Sequence, residues 1–595
     1  MVHERQARRF SAVAALTVWL GLGLALPIVL SLYSFDIVSD AVEAAPSDAF
    51  TITEPVTIVG SPNIRIERGT IALVDGQGRP VSLVDNGPGS NPVPAGHSVR
   101  LFNATIVIGG AIGPQGSVRH RSSDAVAPVV EALAAGRYET LSLRRTTATM
   151  SFLGDAPETI TDVKAEVSLR RRGLVAVKGS GVLRGQPITL DATANTGQIE
   201  RSGPASSRLP IKLSLKGTHL DLGFDGRLVT APEEIGLQGQ GELTVPSIRQ
   251  AARWFGAHWP SGPGLRNAAI RGDMSLTRNT LTFENASARM DGNEATGVLA
   301  MRVGAPRPVV TGTLAYKVID TKPYFAGNPR EAAEPFSWST FAAGVLTVPL
   351  GLHLDADLRI SADKVVLGGF ELGRSAATIA LKDGRLLADL AELKFNGGEG
   401  GGQITADFTG YLPKFTLRGK LDRVDLGPLS SSLTGRPIVQ GQANVVADIA
   451  GTGATLQDVF QGLAGKFAVR LPEGVRVGLD LRALATAART KEVTGWDPAA
   501  RGSTNFDQMD LRLVLRDGTV LTESAEARSA DGTWSATGVV NLLSNRIDVR
   551  LTQSAGSPAA PAANVAAPQA VLELHGPMNG PSISAGTDPE RPLPR

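Results

Sequence analysis

The chain of 595 residues contains no cysteine. This absence excludes disulfide bonds and thiolate chemistry, and it is compatible with an oxidising compartment without requiring one. Aromatic residues are scarce at 5%, although apolar residues make up 42% of the chain and Gly occurs 67 times. Small and aliphatic side chains with many glycines are typical of turn-rich β structure. The formal net charge of +2 gives no electrostatic reason to expect a nucleic-acid partner.

Long hydrophobic runs are also rare, and one stretch near the N-terminus qualifies as a membrane span. Phe10–Tyr33 contains no charged residue, and as a helix it would extend roughly 36 Å at about 1.5 Å per residue. Three arginines precede it and acidic residues follow, which predicts a cytoplasmic N-terminus and a single crossing. A cleaved signal peptide, with a site near Val42-Glu43-Ala44, is the alternative. The length of the run disfavours it, because the apolar core of a signal peptide has about 7–15 residues.

A pattern of two alternating strands joined by a glycine-bearing turn recurs along the chain. It is seen in RNTLTFENASARMDGNEATGVLAMRV (278–303), DGRLLADLAELKFNGGEGGGQITADF (383–408) and DGTVLTESAEARSADGTWSATGVVNL (517–542). The turns Asp291-Gly292, Asn396-Gly397 and Asp531-Gly532 are strong hairpin signals, because these residues tolerate positive φ. A third strand often follows, so the pattern predicts a repeated β-meander. Irregular spacing between the copies favours one long, strongly curved sheet over a propeller or a solenoid.

Helical patterns are few. We predict four short helices, near residues 123–138, 246–260, 455–465 and 479–490. In the second, Ser247 is the expected N-cap, and Trp254, Phe255 and Trp259 are expected to pack in a core or at the end of the sheet. Four short helices cannot shield roughly 30 strands, so the apolar face of the sheet either closes on itself or is left for another apolar molecule. Fatty acyl chains would satisfy that face at about 25 cal/mol per Å² buried.

Alternation within the strands separates an apolar face from a solvated one. In FTLRGKLDRVDL, Phe415 and Leu417 point one way and Thr416 and Arg418 the other. We predict that the inward apolar positions contact lipid acyl chains; these are Phe415, Leu417, Leu421, Ile547, Val549 and Leu551. The basic run Arg170, Arg171 and Arg172 is a candidate for contact with anionic headgroups. A merely solvated run beside a hairpin turn is the competing interpretation.

Motifs of catalysis are lacking. The seven histidines include no pair at a metal-ligand spacing, and the sequence contains no Gly-x-Ser-x-Gly nucleophile elbow. The glycine cluster Gly397–Gly402 precedes a predicted strand, whereas phosphate-binding loops require a helix N-terminus. We therefore expect neither an enzyme nor a resident metal or cofactor.

Several segments together resemble the AsmA family. They include the strand GQANVVADIAGTG, the helix LQDVFQGLAG leading into FAV, the return GVRVGLDL, and the closing meander FDQMDLRLVLRDGTVLTESAEARSADGTWSATGVVNLLSNRIDVRL. Upstream, LTVPSIRQAARWFG also matches the middle of the family, so the resemblance covers roughly Asp155–Leu551. The resemblance implies an inner-membrane protein whose bulk lies in the periplasm of a Gram-negative cell. It also implies a role in outer-membrane assembly, protein targeting to that membrane or phospholipid transport, and no catalytic residues.

The expected fold is mainly β: an N-terminal transmembrane helix, then an elongated, curved antiparallel sheet that forms a β-groove of repeated meanders with a few short helices. We divide the chain into a cytoplasmic N-terminus and anchor (1–35), an N-terminal β segment atypical of the family (36–122), a middle region (123–326), a polar loop (327–340), a C-terminal β region (341–552), an Ala/Pro-rich linker (553–569) and a terminal strand and tail (570–595). The expected partners are phospholipids or other acyl-chain lipids, the inner membrane and outer-membrane assembly or targeting proteins. The alternative is a closed periplasmic scaffold that acts through protein contacts with the envelope assembly machinery.

Overall fold

The computed structural model describes most of the chain beyond the N-terminal region. The described residues are 37–39, 42–44, 49–52, 56–58, 63–74, 98–109, 140–151, 158–170, 173–201, 207–231, 234–254, 264–277, 280–302, 307–324, 354–367, 370–434, 436–454, 456–488, 493–495, 502–530, 532–541, 544–554, 570–578 and 580–586. No helix among them combines the length and the apolar character needed to cross a membrane. The predicted anchor, the predicted helix at 123–138 and the predicted polar loop at 327–340 lie outside these residues.

The chain forms two compact units: residues 1–259, 265–290 and 296–311, and residues 260–264, 291–295 and 312–595. The strands of the first unit are β1 (Ile37–Ser39), β2 (Val42–Ala44), β3 (Ala49–Ile52), β4 (Val56–Ile58), β5 (Asn63–Val74), β6 (Ser98–Gly109), β7 (Thr140–Ser151), β8 (Glu158–Arg170), β9 (Leu174–Leu183), β10 (Gln186–Asn195), β11 (Glu200–Arg201), β12 (Ser207–Gly217), β13 (Asp221–Ala231), β14 (Glu234–Val245), β15 (Ala268–Leu276) and β16 (Thr280–Met290). Residues of β17 (Asn293–Arg302) and β18 (Val309–Asp320) are divided between the two units.

The strands of the second unit are β19 (Asp355–Leu367), β20 (Phe370–Lys382), β21 (Arg385–Phe395), β22 (Gly398–Asp407), β23 (Lys414–Asp425), β24 (Val439–Gln440), β25 (Gln442–Thr452), β26 (Ala464–Leu471), β27 (Val475–Val477), β28 (Val493–Thr494), β29 (Thr504–Phe506), β30 (Gln508–Arg516), β31 (Thr519–Ser529), β32 (Gly532–Asn541), β33 (Arg546–Ser554), β34 (Ala570–Pro577) and β35 (Ser582–Ala585). The α-helices of the chain are α1 (Ile248–Trp254) in the first unit, and α2 (Leu426–Thr434), α3 (Leu456–Gln461) and α4 (Leu481–Ala488) in the second.

In the first unit, strands adjacent in sequence are mostly adjacent in the sheet. From β7 to β16, apart from the short edge strand β11, each strand pairs antiparallel with the next. The pair β6–β7 is parallel, which differs from the predicted antiparallel sheet. A parallel pair needs a crossover of a dozen or more residues, and residues 110–139 between the two strands are long enough to supply it.

One face of the first unit is sealed. Alternate residues of β12, from Leu209 to Leu215, are at most 4% exposed, and they belong to one apolar cluster that runs from β5 to β16. Trp254 of α1 packs against this cluster and donates its indole N–H to the carbonyl of Leu183 at 3.2 Å. This contact confirms the predicted packing role of Trp254. Of the two outcomes that the sequence left open, a face closed by the protein itself and a face left for another apolar molecule, this unit shows the first.

The second unit is a long meander. Pairing runs antiparallel through β19, β20, β21, β22, β23, β25, β26, β30, β31, β32, β33, β34 and β35. The β21–β22 hairpin turns at Asn396 and Gly397, whose φ values are 44° and 77°. Asp291 and Gly292, with φ values of 50° and 87°, likewise form the predicted turn before β17. Two of the three predicted Asx-Gly turns are thus confirmed, and Asp531 of the third lies outside the described residues.

The observed helices match three of the four predicted ranges in position but are shorter. The backbone N–H of Gln250 bonds the hydroxyl of Ser247 at 3.3 Å, which confirms the predicted N-cap of α1. Helix α2 was not predicted. Its signal is a local one: the Asp425 carboxylate accepts the backbone N–H of Gly427 at 2.8 Å, and Pro428 follows within the first turn, where a missing N–H costs nothing.

Candidate functional site

The cross-strand register of the second unit places one apolar position of each strand in a single row. Because directly opposed residues of antiparallel strands point to the same face, the row identifies a common surface. In strand order it contains Leu358, Ile379, Ala388, Ile404, Leu417, Ile449, Gly465, Leu515, Val520, Val540 and Ile547. Every member is half-buried. We call this face of β19–β33 the apolar face.

The apolar face has a second row, whose central members are smaller residues. It contains Ile360, Ala377, Leu390, Gly402, Gly419, Ala447, Phe467 and Leu513. All of these are again half-buried. A Cβ placed on Gly419 would meet the carbonyl oxygen of Gly401 at 3.4 Å, which is ordinary van der Waals contact. The centre of the face therefore has room above the backbone.

The opposite face of the same strands is solvated and ionic. Arg418 on β23 contacts Asp448 on β25 at 3.2 Å, with side chains 67% and 59% exposed. Arg423 contacts Glu399 at 3.0 Å on the neighbouring strands. Exposed pairs of this kind contribute about 0–1 kcal/mol each. They show which side of the sheet faces water, and the apolar face is the side opposite these ion pairs.

The ends of the apolar face differ from its centre. Toward α3, Val459 and Leu463 pack over Gly451, whose position on β25 is opposite Phe415. Toward the C-terminus, Leu572 and Leu574 of β34 are at most 4% exposed and form a packed cluster with α4, β27 and β29. The half-buried centre is thus bordered by packed apolar residues beside α3 and at the β33 end.

The six predicted lipid-contact residues fall on this face but in two environments. Leu417 and Ile547, taken from different meanders, lie in the same row. Leu421 lies on β23 in the half-buried centre, and half-buried Phe415 lies at the border with α3. Ile547 and Leu551 pack against the C-terminal cluster, and Val549 opposes Leu574. Leu417 and Leu421 therefore lie in the centre of the candidate site, and Phe415 and the three β33 residues lie at its packed borders.

The predicted headgroup contacts are not brought to this site by the described structure. Arg170 is the last residue of β8 in the first unit, and Arg171 and Arg172 lie outside the described residues. Their proposed role stays a prediction. Among the described side chains, no group of three His, Asp or Glu residues is placed to hold a metal ion.

Sequence reasoning missed most of the residues that build the apolar face. Leu358, Ile379, Ile404 and Ile449 lie in strands whose alternation was recognised, but the register that aligns them was not. Bulges move the alternation within single strands: in β21, Leu390 and Leu393 both oppose residues of the apolar face although their spacing is odd.

Comparison with known proteins addresses the same region of the chain. Residues 338–524 match the model of the AsmA family; this range contains β19 to β30 and so most of the apolar face. The chain is 22% identical over 199 residues to Protein AsmA of Escherichia coli (strain K12), in a match that covers 33% of this chain and 32% of that protein. The chain thus matches about a third of the length of this relative, and no solved structure matches it. Residues 338–524 are thus a region similar to the AsmA family.

Proposed function

We propose that the protein is anchored in the inner membrane, extends into the periplasm, and binds phospholipid acyl chains on the apolar face of its second unit. The observation that carries the proposal is the pair of rows in which aliphatic residues on consecutive strands are half-buried. A soluble domain normally covers such a surface with its own chain. An acyl chain laid along it would gain about 25 cal/mol per Å² of apolar area removed from water.

In this proposal the apolar face is the inner surface of an elongated, curved groove. An acyl chain binds across successive strands, and the headgroup remains toward solvent. The residues of both rows are half-buried on neighbouring strands, so an acyl chain would meet similar surroundings on each strand. Such uniformity favours movement along the face over capture at one point. Transport of phospholipid along this path would support outer-membrane assembly and protein targeting to that membrane.

The proposed location in the inner membrane rests on the sequence. The uncharged run Phe10–Tyr33, with arginines before it and acidic residues after it, supports an anchor with a cytoplasmic N-terminus. The similarity of residues 338–524 to the AsmA family supports an envelope protein.

A scaffold that acts through protein contacts is the second candidate. It is favoured by the first unit, in which the apolar face is sealed by side chains such as Leu215 and Leu237, each at most 1% exposed. A protein of sealed units would present only its solvated surface to partners. It would carry no lipid when purified.

Photo-crosslinking tests the proposal. A benzophenone amino acid is placed at position 417 of the full chain in its native membranes, and the matched control carries it at 416, the next residue on the opposite face. We expect phospholipid adducts by mass spectrometry at 417 and few at 416. Adducts at neither position, or equally at both, would contradict lipid binding by this face, and protein adducts alone would favour the scaffold.

A charge on the apolar face gives an independent readout. Leu417→Asp should lower the amount of phospholipid that copurifies with the protein in native mass spectrometry, because a carboxylate is poorly tolerated beside an acyl chain. Thr416→Asp is the control and should leave the lipid content unchanged. Because Leu417 is half-buried, its replacement should not unfold the unit, and circular dichroism would verify this.

A further inference from the structure

The loop between β22 and β23 places two apolar side chains in solvent. Tyr411 is 100% exposed and Leu412 is 42% exposed. The loop comprises residues 408–413 and ends with a proline. Isolated apolar residues on a surface are ordinary, but a fully exposed tyrosine beside an exposed leucine at the tip of a hairpin forms a small projecting apolar surface. We call Tyr411 and Leu412 the tip.

The base of this loop is held in place. The backbone N–H of Phe408 bonds the carbonyl of Gly384 at 2.9 Å. The Asp407 carboxylate accepts the backbone N–H of Thr409 at 2.9 Å and its hydroxyl at 2.6 Å. At the other end, the carbonyl of Pro413 accepts a bond at 3.1 Å from the turn after β25. Because both ends of the loop are fixed to the sheet, the tip cannot fold back onto the core and projects from the hairpin.

The apolar face extends to the base of the tip. Ala406 and Phe415 are opposed on β22 and β23, immediately before and after the loop. The ring of Phe408 contacts the ring of Phe415 edge-on, with centroids 6.0 Å apart. A continuous set of apolar side chains therefore links the centre of the face, through these two rings, to the hairpin that carries the tip.

The charges around the tip show no excess of positive charge. At this edge of the sheet the cations are Lys382, Arg385 and Lys414, and the anions are Asp355, Asp383, Asp407 and Asp458, which lies against Gly453. Four negative charges outnumber three positive ones. The edge thus has no electrostatic preference for an anionic partner, and whatever the tip contacts must be attracted to its apolar atoms.

We propose that the tip inserts into the interfacial region of a phospholipid bilayer, at the place where acyl chains pass between that bilayer and the apolar face. Tyrosine suits such an interface because its ring is apolar and its hydroxyl can remain hydrated. A bilayer accepts two side chains from a narrow projection, whereas a stable protein interface buries about 800 Å² on each partner. The surroundings of the tip are charged pairs, which do not supply that area. The passage of acyl chains rests on the proposed function; insertion of the tip does not.

The absence of cysteine from the chain allows a single-site test. Leu412→Cys in the full-length protein is labelled with an environment-sensitive fluorophore and mixed with phosphatidylcholine vesicles. The control is Val446→Cys, which is 48% exposed on the solvated face of the same unit. We expect a blue shift and quenching by nitroxide-labelled lipid for the label at 412 and neither for the label at 446. Because the edge has no excess of positive charge, the shift should not require anionic lipid and should not weaken at high salt.

A further substitution separates insertion of the tip from insertion of the label. Tyr411→Ser in the labelled Leu412→Cys protein should reduce the vesicle-dependent shift several-fold. The inference is overturned if the label at 412 responds no more than the label at 446, if Tyr411→Ser has no effect, or if the shift requires addition of a protein fraction, which would make the tip a protein-docking loop. Lipid crosslinking at position 417 is measured separately, so failure of the tip and failure of the apolar face are distinguishable.

Discussion

Two opposed glycines at the centre of the apolar face should respond oppositely to the same substitution. Gly402 on β22 and Gly419 on β23 are directly paired. A Cβ on Gly402 would lie 2.8 Å from the Cα of Gly419 and still closer to the Arg418 carbonyl oxygen. A Cβ on Gly419 would meet the Gly401 carbonyl oxygen at 3.4 Å. The first contact requires the backbone of β23 to move, and the second does not.

The magnitudes follow from these distances. Gly402→Ala is an overpacking change against backbone atoms, which cannot rotate away, and should cost about 1–3 kcal/mol. Gly419→Ala introduces no strain and restricts the unfolded chain, which is worth about 0.4–1 kcal/mol in favour of the folded state. The two variants should therefore differ by about 2 kcal/mol or more in the free energy of opening of the β22–β23 hairpin.

Hydrogen exchange followed by mass spectrometry measures that free energy within the full chain. A difference of about 2 kcal/mol corresponds to roughly 30-fold in exchange rate for peptides covering residues 398–425. Peptides of the first unit serve as an internal control and should exchange alike in both variants. Equal exchange of the hairpin in the two variants would refute the close approach of β22 and β23 on which the room above Gly419 depends.

Three further predictions concern polar groups of the second unit. Asn293 bonds both backbone groups of Asp320, at 3.0 Å and 2.6 Å, so Asn293→Ala should cost about 1–3 kcal/mol by thermal unfolding, and Asn293→Asp should cost at least as much because it sets a buried carboxylate against the Asp320 carbonyl oxygen. Burial raises the pKa of Tyr324 from 10.0 to about 12. Between these pH values the folded state binds more protons than the unfolded state, so the free energy of unfolding should be intact below pH 10 and fall as the pH rises to 12. Tyr324→Phe should remove this part of the fall, as measured by alkaline denaturation. Glu573 lies 2.7 Å from Arg550, whose side chain is 8% exposed, so Glu573→Gln should lower stability by about 3 kcal/mol, whereas the same change at exposed Glu399 should be almost silent.

The turns and the two faces of the second unit could be predicted because they depend on local chemistry. Asp383 and Asn396 adopt φ values of 50° and 44° in front of glycines, which their side chains tolerate better than most. Alternation along β23 correctly assigned Leu417 and Arg418 to opposite faces. These features need no knowledge of which strands are neighbours.

Register and burial could not be predicted in this way. The alignment of Leu417 with Ile547 depends on five intervening strands and on the bulges within them, and one bulge changes which face every later residue occupies. Whether a face is sealed depends on contacts distant in sequence, which is why the sequence left closed and open faces as alternatives and why the packed surroundings of the β33 residues were not foreseen. The short helix α2 was missed because its capping signals are confined to three residues, Asp425, Gly427 and Pro428.

The same meander produces a sealed face in one unit and a half-buried one in the other, and the difference lies in what stands over the glycines. In the first unit, a Cβ on Gly241 would collide with the side chain of Met274. That large side chain occupies the space that the glycine provides. Over Gly419 the described neighbour is a backbone oxygen at contact distance. Gly241 therefore serves close packing in the first unit, whereas Gly419 in the second leaves room on a surface of aliphatic residues, and that room is what a bound acyl chain would require.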